Sequence, residues 1–246
     1  MRELRGEVPV ETSLGRDQLV RPVSNWVRVE PSPPRMRFSP FEIRHILLAV
    51  GAMTLAFSLA TVGGIYAFLD ALDWGGPLLI GIIVLSSFVA VITAFLLHEL
   101  MHKMVAQRYG CYAEFRAYPM GLLLGVFTAA FGFMFAAPGA VMVSGQVSGR
   151  QHVRISAAGP ATNLALAAGF VGLAVLLGAS LSPLGDLLFY LVASIAFVNL
   201  FLGFFNLIPF PPLDGSKIFA FNKPLWVAMI AATAALYGAG WYVGVF

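Results

Sequence analysis

The stretch LLIGIIVLSSFVAVITAFLLHELMH, Leu78–His102, opens with twenty uncharged residues and runs without a turn signal into His98-Glu99-Leu100-Met101-His102. A helix needs about 20 predominantly apolar residues to cross a bilayer, so Leu78–Leu97 reads as a crossing. Its charged groups then sit at the end of that crossing rather than in a polar loop. Ionisable side chains at membrane depth are costly and are functional candidates by default. His98 and His102 are four apart, which puts both imidazoles on one helix face a turn apart. Glu99 projects about a quarter-turn round from them.

Working outward, four more apolar runs are long enough to cross: Ile43–Leu69, Ile155–Leu177, Leu187–Ile208 and Leu225–Phe246. Asp70, Asp73 and Gly75-Gly76-Pro77 predict a turn between the first two crossings. Residues 111–149 are apolar but broken by Pro119, Gly121, Gly125, Gly132, Pro138 and Gly139. Short segments such as Gly132–Phe135 and Ala140–Val143 predict hairpin strands dipping into the membrane, where protein or trapped water must satisfy the backbone. Residues 1–42 are polar, with Pro31, Pro33, Pro34 and Pro40, and read as a loosely ordered tail. The expected architecture is therefore an all-α multi-pass membrane bundle of about five crossings, with a membrane-associated β-hairpin or sheet after the second. It divides into a tail, 1–42, and a transmembrane domain, 43–246, with a core at about 78–220.

Composition agrees. The 246 residues are 59% apolar and 11% charged, against roughly 45–50% and about 25% in soluble domains. The single cysteine, Cys111, excludes an internal disulfide and a C-x-x-C metal site, so any metal must be held by His, Asp or Glu. Eight Lys and Arg lie in the tail through Arg44, five lie between Lys103 and Arg154, and Lys217 and Lys223 complete the set. The opposite loops carry only Asp70, Asp73 and Asp186. Basic loops stay on the cytoplasmic side. The N-terminus and the inner end of the Leu78–His102 helix are thus expected in the cytoplasm, and the C-terminus outside.

The H-E-x-x-H spacing suits two metal ligands with a carboxylate between them that reaches a bound water. A catalytic zinc takes three protein ligands and keeps one position for water. Asp214 is the best third ligand. It follows Pro209, Pro211 and Pro212 at the broken end of a crossing, and broken helices at membrane depth line cavities. His152 and His45 are weaker candidates, each beside arginine at the inner boundary.

These residues resemble the site-2 protease family. That family carries H-E-x-x-H on one membrane helix and N-x-x-P-x-x-P-L-D-G on a later one, and Asn206–Gly215 matches the second motif as His98–His102 matches the first. Gly159-Pro160-Ala161-Thr162-Asn163 is similar to the family's G-P-x-x-N segment between them. The resemblance covers about residues 78–220. It implies an intramembrane zinc metalloprotease that cuts peptide bonds within or near transmembrane segments of membrane-protein substrates. One zinc per chain would be held by His98, His102 and Asp214, with Glu99 as general base towards a zinc-activated water. Asn206 and Asn163 would help hold the substrate or its oxyanion. The apolar hairpin resembles the family's membrane-associated sheet, which can pair with an unwound substrate strand. No PDZ-like insertion lies between the motifs, and five crossings are read where some relatives have six.

Other readings compete. The histidines could make a polar contact between helices, and Asn163 and Asn199 could simply bond across to neighbouring helices. A transporter or scaffold with a buried relay would more often show repeated halves with paired broken helices, and only one break is evident. Membrane zincins with a glutamate as third ligand need a downstream Glu, and Glu114 is the last in this chain.

Overall fold

The computed structural model describes residues 36–178 and 183–246. The tail expected over 1–42 falls mostly outside the described residues. Eight helices and two strands follow in chain order among them. They are α1 Pro40–Val62, α2 Ile65–Ala90, α3 Leu97–Arg108, β1 Tyr112–Ala117, α4 Pro119–Ala129, β2 Gly139–Ser144, α5 Gly149–Gly178, α6 Pro183–Leu207, α7 Asp214–Phe221 and α8 Lys223–Tyr242. A π turn, Val91–Leu96, joins α2 to α3, so the helical rod after the kink at Gly76 runs without a break from Pro77 to Arg108. Among the described residues five helices are long and apolar enough to cross a membrane, and the chain is an integral membrane protein of the expected all-α class.

The first inter-crossing connection differs from the expected turn at 70–77. The first break comes earlier, where α1 ends at Gly63 (φ 94°) and Gly64 (φ 112°), conformations that favour glycine. The two glycines also permit a close approach: a Cβ on Gly64 would lie 2.6 Å from the Ala130 carbonyl oxygen, and one on Gly132 would lie 2.7 Å from that of Gly63. Asp70 and Asp73 consequently sit on a short helical arm, and the predicted break appears as a kink at Gly76 (φ 65°) before Pro77.

The hairpin region holds an antiparallel pair in which Tyr112 faces Ser144, Phe115 faces Val141 and Ala117 faces Gly139. The strand expected over Ala140–Val143 lies within β2, but its partner is Tyr112–Ala117 rather than Gly132–Phe135. The glycines read as strand breakers serve packing instead. A Cβ on Gly121 or Gly125 would strike Ala137 or Ala136, so α4 lies tight against the irregular return segment. Thr128 Oγ1 accepts the Phe135 N–H (2.9 Å) and satisfies part of that segment.

Two apolar clusters frame the molecule. Ala49, Val50 and Met53 of α1 pack with Val91 and Phe95 of the π turn, Phe115 of β1 and Leu122 of α4. Val153, Leu164 and Ala167 of α5 pack with Leu200 and Leu207 of α6, Ile218 of α7 and Met229 of α8. Helix pairing in lipid relies on close contact rather than on a hydrophobic drive, and Ala167, Ala174 and Ala196 on the α5–α6 seam are fully buried. One buried ion pair joins the two ends of the first cluster: Lys103 of α3 donates to Glu42 of α1, and both are fully buried. Glu42 also accepts the Phe115 N–H (2.9 Å), so the pair ties α1, α3 and the sheet together. Removing one partner from such a pair leaves an uncompensated charge, which is far more destabilising than never having had the pair.

Candidate metal centre

His98 and His102 arise on the first two turns of α3, directly after the π turn. A π turn inserts one residue into the helical register and so sets which face the following residues present. Two asparagines brace it from neighbouring helices. Asn199 of α6 donates to Thr93 Oγ1 (3.0 Å) and to the Ile195 carbonyl (2.9 Å). Asn163 of α5 donates to the Ala94 carbonyl (3.0 Å). Asp214 comes from the start of α7, after the proline-broken segment 208–213. The return is tight, since a Cβ on Gly215 would lie 2.1 Å from the Leu207 carbonyl oxygen.

These elements bring the three side chains together. His98 Nε2 and His102 Nε2 are 3.0 Å apart, and Asp214 Oδ2 lies 3.3 Å from the first and 2.9 Å from the second. All three residues are buried. The outer ring nitrogens fix the tautomers. His102 Nδ1 lies 2.6 Å from the Ile155 carbonyl, which can only accept, so the proton is on Nδ1. Asn163 donates its amide nitrogen to Ala94, which turns Oδ1 towards His98 Nδ1 (3.2 Å) and places a proton there too. Both Nε2 atoms then present lone pairs to the same space as a carboxylate oxygen.

Three electron-pair donors converging in a buried space repel one another unless a cation lies among them. Two imidazoles and a carboxylate are a set that suits a catalytic zinc with one open position. Ligand bonds of about 2.0–2.1 Å in a tetrahedron set edges of about 3.3 Å, close to the separations found here. The space itself is kept clear by Gly159 of α5: a Cβ there would lie 2.4 Å from His102 Nε2 and 2.5 Å from His98 Nε2. Among the described residues this is a buried His and Asp group that could hold a metal ion.

The remaining candidates are placed differently. Glu99 is partly buried and its Oε2 accepts the Val141 N–H of β2 (2.9 Å). Asn206 is on the last turn of α6 and donates to the Leu202 carbonyl of its own helix (3.0 Å). Asn163, expected near the substrate, is fully buried and holds His98. His45 accepts the Ala117 N–H (3.0 Å), and His152 packs against the Phe221 ring. Lys217, one turn along α7, lies 3.6 Å from Asp214 Oδ1. The clearance at Gly159 could not be read from one sequence, because it depends on which helix lies opposite, whereas Asn199 bonds across to a neighbouring helix as one of the competing readings had it. Partners behind ligating histidines typically contribute 10–100-fold in metal affinity. Asn163→Ala is therefore expected to weaken zinc binding by about that factor, read by competition with a calibrated chelator. An unchanged affinity would show that His98 is oriented by packing alone.

Comparison with known proteins agrees. The profile described as Peptidase family M50 matches residues 182–225. A protein of Methanocaldococcus jannaschii named "Putative zinc metalloprotease MJ0611" is 35% identical over 192 residues, covering 77% of this chain and 89% of that protein. Rip3 of Mycobacterium tuberculosis, whose name takes the same form, is 37% identical over 134 residues, covering 53% of this chain and 29% of its own length. This chain therefore matches under a third of Rip3. No solved structure matches the chain at a significant level. With its buried His98, His102 and Asp214 and a relative matched over most of both lengths, the chain belongs to peptidase family M50, the site-2 protease family of zinc metallopeptidases.

Proposed function

We propose that this chain hydrolyses peptide bonds within or near transmembrane segments of membrane-protein substrates, at a site opening towards the cytoplasm. The observation that carries the reading is the convergence of His98, His102 and Asp214 inside a bundle of membrane-length helices, with Glu99 on the same helix as the two histidines. Zinc held by those three side chains would act as a Lewis acid, lowering the pKa of water to about 7 and polarising the scissile carbonyl.

The chain's own residues do the rest. Glu99 takes the proton from the attacking water and returns it to the leaving amine. Asn163 and the Ile155 carbonyl hold the two rings with their Nε2 atoms inward. Asn206 has a second amide hydrogen beyond the one donated to Leu202, and it would meet the substrate carbonyl. A substrate helix shields its peptide bonds in its own hydrogen bonds, so the segment must unwind before attack. The outer edge of β2, beside Glu99, is where an unwound strand would pair. The basic loops support a cytoplasmic position for the α3 end of the rod, which would give water its shortest path.

The test is cleavage of a membrane-helix reporter by the purified chain in lipid nanodiscs, before and after metal removal. Chelation is expected to abolish cleavage, and stoichiometric zinc to restore it. Cleavage that survives chelation, or that is confined to soluble peptides, would overturn the reading.

A further inference from the structure

The two edges of the small sheet are treated differently. Phe115 and Val141 face each other, and the N–H groups of both point away from the ladder. On the β1 side every such group with a known partner is closed by a side chain: Phe115 N–H by Glu42, Ala117 N–H by His45 and the Ala113 carbonyl by Gln107 (3.3 Å). Side chains that cover an edge are how proteins keep other strands off it. On the β2 side, among the described residues, one hydrogen bond covers the outward backbone groups of Gly139, Val141 and Val143. It is the bond from Val141 N–H to Glu99 Oε2 (2.9 Å). Met142 and Val143 are exposed. The open edge is thus held by the carboxylate assigned above as the base.

We propose that the Val141 amide is a specificity-determining group, shared in turn by Glu99 and by the substrate. This rests on the reading of the chain as a protease with Glu99 as base. One N–H makes one good hydrogen bond. A strand adding to the β2 edge must offer a carbonyl to Val141 N–H, and Glu99 must let go of it. Docking therefore exchanges one hydrogen bond for another and releases the carboxylate beside the metal centre. No covalent step is involved.

The exchange has a direction that selects substrates. A carboxylate acceptor makes a stronger hydrogen bond than a neutral carbonyl, by about twofold. A single substrate carbonyl does not displace Glu99. An extended run does, because it pairs with Gly139 and Val143 in the same event. The site therefore favours segments that can lie extended over several residues, and Glu99 stays tethered to β2 through Oε2 when a helical segment or a very short peptide arrives.

Val141→Pro tests this in the full chain. Proline removes the N–H, and edge positions with an outward N–H tolerate it. Two substrates are compared: one long enough to lie along β2 across its cut site, and a fluorogenic tetrapeptide that cannot. The long substrate is expected to lose affinity by about 2- to 10-fold, seen as a rise in KM. The tetrapeptide is expected to gain in kcat, because Glu99 is no longer held. A general defect lowers turnover of both, and that result, with zinc retained, would overturn the proposal. If neither substrate is cut by zinc-loaded wild type, the protease reading fails instead. Should the proline variant lose its zinc, amide hydrogen exchange in Glu99→Ala decides. Val141 N–H is expected to exchange fast there and to be protected again by the long, uncut peptide. Exchange that stays fast with the peptide bound would overturn the proposal.

Discussion

Glu99→Gln retains about one zinc per chain and loses cleavage by a factor of about 10²–10⁴, the usual worth of a positioned general base. Glutamine has the shape of glutamate and an oxygen that can still accept the Val141 N–H, so the π turn, α3 and β2 keep their contacts. Only the ability to take a proton is removed. None of the three buried metal-ligating candidates is touched, so metal content is expected to match wild type. The measurement pairs metal analysis of the purified variant with kcat on a membrane-helix reporter. Turnover within tenfold of wild type at full zinc occupancy would remove Glu99 from the mechanism. Loss of zinc would show that Glu99 supports the metal, and the base would have to be sought elsewhere.

The cluster of His98, His102 and Asp214 was far more legible in the sequence than its surroundings, and the reason is physical. His98 and His102 are related by one helical turn, so their juxtaposition follows from spacing alone. Asp214 could be ranked first because charge is so scarce at membrane depth, and its approach to the histidines was an expectation that the tight return at Gly215 fulfils. The five crossings were legible from length and polarity, as hydropathy in lipid allows. The break at Gly63-Gly64 was not. Both residues lie inside an apolar run, and only the contact with the 130–132 loop shows why the helix ends there as well as breaking at the more obvious Gly76-Pro77 signal. The π turn is equally silent, since nothing in the sequence of Val91–Leu96 sets it apart from an α-helical stretch. In the hairpin region the positions of Gly121 and Gly125 were read as breaks, whereas they are close contacts on a helix. Small residues carry either meaning, and the neighbour decides.

The same dependence on neighbours governs the proposed third ligand. Asp214→Ala is expected to lower zinc affinity by more than the 10–100-fold typical of groups behind the ligands, leaving well under one zinc per chain after dialysis. The variant keeps two inward Nε2 atoms 3.0 Å apart but removes the only negative charge among the three candidate ligands. It also leaves the Lys217 ammonium, now 3.6 Å from the carboxylate, without its counter-charge beside the space. Cleavage is therefore expected to fall with zinc occupancy, and a large excess of zinc should restore part of both. That recovery separates Asp214→Ala from Glu99→Gln, which zinc does not rescue. His45→Ala and His152→Ala provide the contrast, because the structure pairs those rings with Ala117 and Phe221 rather than with the histidine pair. Both are expected to keep zinc near the wild-type level. If Asp214→Ala holds zinc as tightly as wild type while either histidine variant loses it, the third ligand is that histidine, and the role of the segment 208–213 in presenting Asp214 must be abandoned.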